Sequence, residues 1–281
     1  MSFSIAGVVV LYNPDSEVLN NLRSYCNSIS KLYIVDNSEC PSEELIVNLK
    51  LINAEYIPFN QNQGIAKALN IGASRAIEDG FDWLLTMDQD SEATKGMVQE
   101  LINSTGNFDR NSIGIVSPQH ILDSKPVHKS FDVEEVTVVM TSGNLLNLKA
   151  YQKVGPFRDD FFIDYVDHEY CLRLKYYGYK ILVNHKAILN HQLGQNKAYN
   201  ALGKTVTTTH HNCTRRYYIT RNRLQVLKEY KELFPEYYKT ELRNNIKELI
   251  KVFFFENNKF GKLKSIIRGY KDYRKGKFGK L

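Results

Sequence analysis

The chain has 281 residues, 43% hydrophobic and 24% charged, a composition that supports a buried core and excludes a largely disordered protein. It has no run of about 18 apolar residues, so we expect no bilayer-spanning helix. The net charge of +6 is uneven, because residues 223–281 hold 16 Lys and Arg against 7 Asp and Glu. This basic segment is either a solvated surface or faces an anionic partner, nucleic acid or lipid.

The four cysteines lie far apart and form no Cys-x-x-Cys pair. This spacing fits neither a zinc site nor a disulfide framework, so we expect reduced thiols and a cytoplasmic protein. The N-terminus leads from Ser2 into an apolar strand, without the basic region or cleavage site of a signal peptide. We therefore expect a protein that is soluble or peripheral to a membrane.

Short apolar runs alternate with helical patterns through the first third of the chain. A β-branched run that is apolar throughout is typical of a strand buried on both faces. The alternation predicts an α/β fold with a mostly parallel sheet wound with helices. The predicted strands are Ile5–Leu11, Leu32–Val35, Ala54–Phe59 and Phe81–Met87, and the predicted helices are Ser16–Ile29, Glu43–Leu51 and Ile65–Glu78.

The middle of the chain is less regular, and the end is helical and basic. We predict one α/β domain over residues 1–222 and a basic amphipathic helical region over residues 223–281. The further predicted elements are strands at Ile113–Ser117, Val136–Met140, Ile181–Asn184 and Ala187–Leu189, and a helical pattern over Phe161–Tyr177.

Polar residues follow three of the predicted strands at the point where each strand ends. In open parallel sheets, ligands bind beyond the carboxyl ends of the strands. A single Asp in such a position is as often a turn or a helix cap, but three strand ends together indicate a ligand site. The residues are Tyr12 and Asn13, Asp36 and Asn37, and Asp88, Gln89 and Asp90.

The pair Asp88 and Asp90 directly follows a buried strand. Two carboxylates at this spacing can approach one cation, and Mg²⁺ or Mn²⁺ prefers such oxygen ligands and shares them with substrate phosphates. The Asp-x-Asp pattern occurs by chance in many loops and gains weight from the strand before it. The pair therefore predicts a site for a metal ion and a nucleotide diphosphate.

The stretch from Asn62 to Asn70 opens a helix with small residues. Gly64 and the alanines that follow let the helix end approach either a ligand or the neighbouring strand closely. Lys67 can meet a phosphate near the helix start. Ligand binding and close packing are both open at this point.

Residues 159–169 contain five acids among apolar residues. Such a density is costly to bury without partners, and the dipole at a helix start explains only one acid. A general base is the natural functional interpretation.

Several of these segments resemble glycosyltransferase family 2, the inverting transferases built on the GT-A fold, over roughly residues 3–222. The resemblance rests on the ordered motifs VVVLYNP, YIVDNS, NQGIAKALNIG, LLTMDQDS, TSGNLL and VGPFRDDFFIDYVDHEYCLRLKYYGYKI. Within the family the chain is most similar to bacterial rhamnosyltransferases, through FFIDYVDHEYCLR, HQLG and HHNCTRRYYITRN. The resemblance implies transfer of L-rhamnose from dTDP-rhamnose, or of a hexose from a UDP-sugar, onto a saccharide hydroxyl in bacterial surface polysaccharide synthesis.

The resemblance also implies roles for single residues. Asp36 would hydrogen-bond the pyrimidine ring, and Asp88 and Asp90 would hold the diphosphate and a Mn²⁺ or Mg²⁺ ion. His191 resembles a late metal-ligating His, although a lone His is as often a packed residue. The other nucleotide-binding residues would be Tyr12, Asn13, Asn62, Gly64 and Lys67.

Asp167 occupies the position of the family's catalytic base. The preceding position of the family's Glu-Asp motif is Val166 here, so Asp164 or Glu169 would compensate for the missing acid. The residues predicted to contact donor or acceptor are Ser142, Gly143, Asn144, Asp164, Glu169, Arg215, Arg216 and Arg221.

The resemblance implies a lipid-linked acceptor at the inner face of the bacterial cytoplasmic membrane. Apolar residues recur at helical spacing between Leu242 and Tyr270 among many lysines, which favours a membrane-surface helix. The same stripe also fits packing on the catalytic domain or self-association as a homo-oligomer.

Three other functions are open. A nucleotidyltransferase is disfavoured because LYNPDSE, after the first strand, lacks the Gly and Lys of a phosphate loop. A nucleic-acid-binding module leaves the acids unexplained. A non-catalytic sugar-binding domain is the third.

Overall fold

The structure is a computed structural model, and it describes residues 4–42, 46–47, 49, 53–106, 108–121, 131–191, 197–201 and 204–281. Contacts divide the chain into two compact units, Met1–Asp159 with Tyr170–Gln192, and Asp160–Glu169 with Leu193–Leu281. These limits do not coincide with the predicted boundary after residue 222, because the helix Cys213–Tyr230 runs unbroken through that point.

The first unit is built on a mixed β-sheet. Within the described residues its nine strands are β1 Ile5–Leu11, β2 Lys31–Asp36, β3 Ala54–Pro58, β4 Trp83–Asp88, β5 Ser91–Ala93, β6 Ile113–Ile121, β7 Val133–Glu135, β8 Asn144–Asn147 and β9 Lys180–His191. They lie in the order β3-β2-β1-β4-β8-β6-β9-β5, with β7 paired to β9. Strands β3, β2, β1 and β4 are parallel, whereas β8 runs antiparallel to both β4 and β6.

The helices that flank this sheet bury apolar faces against it. The predicted helix Ile65–Glu78 is confirmed residue for residue, and its small side chains serve packing. A Cβ atom on Gly72 would lie 2.2 Å from a methyl group of Val8 in β1, so helix and strand are in direct contact. The helices are α1 Val18–Tyr25, α2 Ile65–Glu78, α3 Met97–Thr105, α4 Leu148–Val154 and α5 Val166–Tyr176, the last belonging to the first unit from Tyr170.

Three predicted elements of the middle region differ from the structure. Residues 136–140 are not a strand, because this segment packs on α5, where the Cys171 thiol donates to the Val139 carbonyl. The two short strands predicted over residues 181–189 are one strand, β9. The predicted helix Glu43–Leu51 lies largely outside the described residues.

The second unit consists of a hairpin and three long helices. A Cβ atom on Gly269 would lie 2.6 Å from the Tyr217 carbonyl oxygen, which shows how closely two of these helices pack. None of the helices in the described ranges combines the length and apolar character that a bilayer span requires. The elements are β10 Lys197–Ala201, β11 Lys204–Thr208, α6 Cys213–Tyr230, α7 Pro235–Phe255 and α8 Lys259–Arg274.

Candidate active site

The polar strand ends of the first unit meet at one edge of the sheet, as the sequence predicts. In the parallel ladder, Asp36 of β2 lies opposite Leu11 of β1, and Asp88 of β4 lies opposite Val10. The register therefore places the carboxyl ends of β1, β2 and β4 within one or two residues of one another along the strand direction. This is the edge at which parallel sheets bind ligands.

Asp36 lies fully buried at this edge. One carboxylate oxygen accepts from the Ser38 backbone N–H at 2.8 Å, and the other accepts from the Tyr56 hydroxyl at 2.6 Å. Burial and the hydrogen bond to Asp36 raise the pKa of the Tyr56 phenol, so it stays protonated and donates. A carboxylate has about four lone-pair sites, so Asp36 keeps accepting capacity for a further N–H donor.

The loops after β1 and β4 are joined by one side chain. The Gln89 carboxamide accepts from the Tyr12 backbone N–H at 2.7 Å and donates to the Tyr12 carbonyl at 3.3 Å. The next residue, Asn13, has a positive φ of 44°, and its N–H donates to the Ser38 hydroxyl. Half of the Tyr12 side chain remains exposed beside these contacts, so its ring is available to a ligand.

The turn that opens α2 is held by residues around it. The Asn37 carboxamide donates to the Gly64 carbonyl at 3.1 Å, and the Asn62 side chain accepts from the Gly64 N–H at 3.0 Å. Gly64 has φ 88°, a conformation that glycine adopts without strain. Lys67 forms a half-exposed ion pair with Asp159 at 3.4 Å, so a phosphate at this position would compete with that carboxylate.

Ser142 supports the loop that carries the two aspartates. Its hydroxyl accepts from the Asp88 backbone N–H at 3.0 Å and lies 2.8 Å from the Ser91 hydroxyl, while its carbonyl accepts from His120 Nε2 at 2.7 Å. Ser142 and Ser91 are both buried. These contacts are those of a residue that holds Asp88, whereas the sequence predicted contact with donor or acceptor.

Gly143 and Asn144 are also structural in their contacts. Gly143 has φ 81°, and a Cβ atom there would lie 2.6 Å from Pro118 and 2.8 Å from Leu189. Buried Asn144 donates to the Met140 carbonyl at 2.7 Å. This turn therefore fits its place only with glycine, and the predicted contact of both residues with donor or acceptor stays a prediction.

The carboxylates at the end of β4 suit a divalent cation that takes its remaining ligands from a bound substrate. Asp88 is half-buried and Asp90 exposed, and β5 begins at the next residue. The His191 backbone pairs with that of Ser91, although the His191 side chain lies outside the described part. Among the described residues, no three His, Cys, Asp or Glu side chains form a metal site by themselves. Two carboxylates suit Mg²⁺ or Mn²⁺ that takes its other ligands from phosphates and water.

Asp167 lies in the first turn of α5, in the part that belongs to the second unit. One oxygen of its carboxylate accepts from the His168 backbone N–H at 2.8 Å, and the residue is partly exposed beside buried Val166. A general base must be held in place and lie within reach of the proton that it takes.

The neighbouring acids already have partners. Asp164 is paired with Arg215, whose Nε lies 3.2 Å from it. Burial raises the pKa of the Asp164 carboxyl, and the hydrogen bond and charge of Arg215 oppose that shift. Glu169 is buried and accepts from the Tyr230 hydroxyl at 3.0 Å. Both side chains therefore bond protein groups, and the contact with donor or acceptor that the sequence predicts for both stays a prediction.

Two of the three arginines predicted to contact substrate are buried in the second unit. Arg216 pairs with Glu256 at 2.6 Å. The Arg221 guanidinium donates to three backbone carbonyls, those of Asp160, Phe161 and Gly279. Burial and these partners make both arginines structural, whereas Arg215 is partly exposed.

Sequence reasoning missed the residues that hold the predicted ones in place. The groups that these residues bond are distant in sequence. The one local signal for them was a polar residue beside a strand end. Asn37 and Gln89 were noted at strand ends but were given no supporting role. The missed residues are Ser38, Tyr56, Ser91 and His120.

Comparison with known proteins identifies the family of the chain. Residues 8–183 match the family model for glycosyl transferase family 2. The dTDP-rhamnosyl transferase RfbF of Shigella flexneri is 26% identical over 255 residues, 82% of this chain and 81% of that protein.

Two solved structures show the same GT-A fold. S. aureus TarS 1–349 in complex with UDP-GlcNAc has a TM-score of 0.61 at 12% identity, over 96% of this chain and 80% of that one. GalNAc-T7 with UDP, GalNAc and Mn²⁺ also has a TM-score of 0.61 at 12% identity, over 84% of this chain, which spans 49% of the GalNAc-T7 chain. Since the family model covers more than half of its residues, the chain belongs to glycosyltransferase family 2.

Proposed function

We propose that this glycosyltransferase moves L-rhamnose from dTDP-rhamnose onto a hydroxyl of a saccharide acceptor in bacterial surface polysaccharide synthesis, with inversion at the anomeric carbon. The observation that carries the choice of donor is the similarity to a dTDP-rhamnosyl transferase over 82% of the chain. A UDP-hexose is the alternative donor, because thymine and uracil offer the same N3–H to Asp36.

The residues that we propose to bind the nucleotide belong to the first unit. Asp36 accepts from the pyrimidine, and the half-exposed Tyr12 ring lines the nucleoside pocket. Asp88 and Asp90, with His191 as a third ligand, hold Mn²⁺ or Mg²⁺. When bound, such a cation stabilises the negative charge on the departing diphosphate.

Asp167 acts as the base in the second unit. Its carboxylate takes the proton of the acceptor hydroxyl while that oxygen bonds to the anomeric carbon, and the bond from that carbon to the diphosphate oxygen breaks. One displacement inverts the centre and needs one base. The exposure of Asp167, against the burial of Asp164 and Glu169, supports this assignment.

A donor panel tests the proposed substrate. With Mn²⁺ present, we expect hydrolysis or transfer from dTDP-rhamnose to exceed that from UDP-glucose or UDP-GlcNAc by at least about tenfold, or about 1.4 kcal/mol in activation free energy. The measurement is nucleotide diphosphate release, with the Asp167→Asn protein as background control. A clear preference for a UDP-sugar contradicts the rhamnose assignment, and no turnover with any donor favours a non-catalytic domain.

We also propose that the second unit docks on an anionic membrane surface, where a lipid-linked acceptor lies. Helices α7 and α8 each present an exposed apolar stripe at helical spacing. Phe253 is 64% exposed and Phe260 is 90% exposed. The stripes consist of Leu242, Ile246, Leu249, Ile250, Phe253 and Phe254 in α7, and Phe260, Leu263, Ile267 and Tyr270 in α8.

Charge favours lipid as the partner of these stripes. Residues 235–281 carry 13 Lys and Arg against 5 Asp and Glu. A two-fold interface would set this basic face against itself, and like charges would oppose each other. Anionic head groups instead attract each nearby cation by about 1 kcal/mol, while apolar side chains enter the interface. The inner face of the bacterial cytoplasmic membrane is such a surface.

Liposome sedimentation at low salt tests the membrane proposal. We expect the full chain to pellet with anionic vesicles and not with neutral ones, and to be released by high salt. The double variant Phe253→Ser, Phe254→Ser is expected to bind at least about tenfold more weakly, since each buried Phe contributes about 1.5–3 kcal/mol.

The matched control is Tyr176→Ser, Tyr177→Ser, which removes an exposed aromatic pair from the first unit. This variant is expected to pellet like the wild type. Equal sedimentation of the Phe variant contradicts the proposal, and a concentration-dependent dimer that the Phe variant abolishes would assign the stripe to a second copy instead.

A further inference from the structure

The segment that carries Asp167 has an unusual backbone. Phe162, Asp164 and Tyr165 have φ values of 66°, 64° and 63°, in the left-handed region that residues with side chains avoid. Such conformations persist only where the surroundings hold them, and they occur most at functional sites. Three of them within four positions, ending two residues before Asp167, require a strong external support.

Asn222 of α6 supplies that support. Its side-chain Nδ2 donates to the carbonyls of Phe161 at 3.0 Å, Ile163 at 2.9 Å and Asp164 at 2.9 Å. The side chain is completely buried, and its oxygen accepts from Arg221 Nε at 2.9 Å, which fixes the direction of the amide. The amide has two N–H groups, so one of them is shared between two of the three carbonyls along this left-handed stretch.

Side chains of α7 hold the residues on either side of Asp167. The Tyr165 hydroxyl donates to Glu241 at 2.5 Å, and His168 Nδ1 lies 2.7 Å from the Tyr237 hydroxyl. Two helices of the second unit thus bond the segment before and after the base.

We propose that Asn222 is a positioning residue for the base Asp167, and that α6 and α7 together set the geometry of the base. This inference rests on the proposed role of Asp167. Without the Asn222 donors, the Ile163 and Asp164 carbonyls lose this partner, whereas Phe161 keeps its bond from Arg221. The segment then relaxes toward ordinary negative φ values. That change reorients the start of α5, and a base displaced from its proton loses rate steeply.

The variant Asn222→Asp tests the inference with almost no change in volume. Aspartate can still accept from Arg221, but it has no N–H for the carbonyls and sets a carboxylate oxygen against them. We expect kcat to fall by about 10- to 100-fold, while KM for the donor and the Kd for nucleotide change little. Rates are expressed per nucleotide-binding site, measured by calorimetric stoichiometry, so that loss of folded protein does not imitate the effect.

Gln225→Glu is the matched control, an amide-to-acid change on the same helix at a side chain that bonds Glu229. It is expected to leave kcat unchanged. Tyr237→Phe, which removes only the hydroxyl near His168, is expected to lower kcat several-fold at constant donor KM and decides the matter if the Asn222 variant does not fold.

A wild-type kcat in folded Asn222→Asp overturns the inference. If Asn222→Asp does not fold, a wild-type kcat in Tyr237→Phe overturns it instead. If one of these results is obtained while Asp167→Asn is inactive in the same assay, only the positioning role of Asn222 is wrong. If Asp167→Asn retains full transfer, the proposed base itself is wrong.

Discussion

Asp167→Asn is expected to abolish transfer and leave nucleotide binding intact. The amide has the shape of the carboxylate but cannot take a proton, and a positioned general base contributes about 10²- to 10⁴-fold in rate. The residues proposed to bind the nucleotide belong to the first unit, whereas Asp167 belongs to the second. The loss should therefore fall on kcat, measured by sugar transfer, with an unchanged nucleotide Kd by calorimetry.

The control for this variant is Glu236→Gln, an acid-to-amide change in the same unit. It is expected to keep nearly full activity, because the Glu236 side chain is largely exposed and pairs with Lys239. Equal losses of nucleotide binding and turnover in Asp167→Asn would show that the residue is not the base.

Asp90→Ala should remove the metal dependence of nucleotide diphosphate binding. Asp88 and Asp90 would hold the ion, which would neutralise phosphate charge, so the nucleotide is expected to bind more tightly with Mn²⁺ than without it. Loss of one ligand is expected to weaken Mn²⁺-dependent binding at least about tenfold, or about 1.4 kcal/mol. Calorimetric titration of dTDP with and without Mn²⁺ measures the difference directly, without any need for turnover.

Glu92→Ala provides the comparison, since Glu92 is an exposed acid two residues further along whose carboxylate accepts from Asn190. This variant should bind dTDP as the wild type does in both conditions. Unchanged Mn²⁺-dependent affinity in Asp90→Ala would exclude the Asp-x-Asp pair as the metal site.

The sequence by itself determined the parallel half of the sheet and the edge at which its polar strand ends meet. The apolar run Ile5–Leu11, the helix Ile65–Glu78 and the Asp88-x-Asp90 pair are all visible in short windows. Local patterns suffice there because strand and helix periodicity depend on neighbours a few residues apart.

Only the tertiary structure decided which polar residues face outward and which are structural. Arg215, Arg216 and Arg221 are equivalent candidates in sequence, yet the last two are buried and bonded to protein groups. The left-handed segment before Asp167 is likewise fixed by Asn222, 59 residues from Ile163. A pattern within one short window cannot contain a partner at that distance, because the two meet only when the chain has folded.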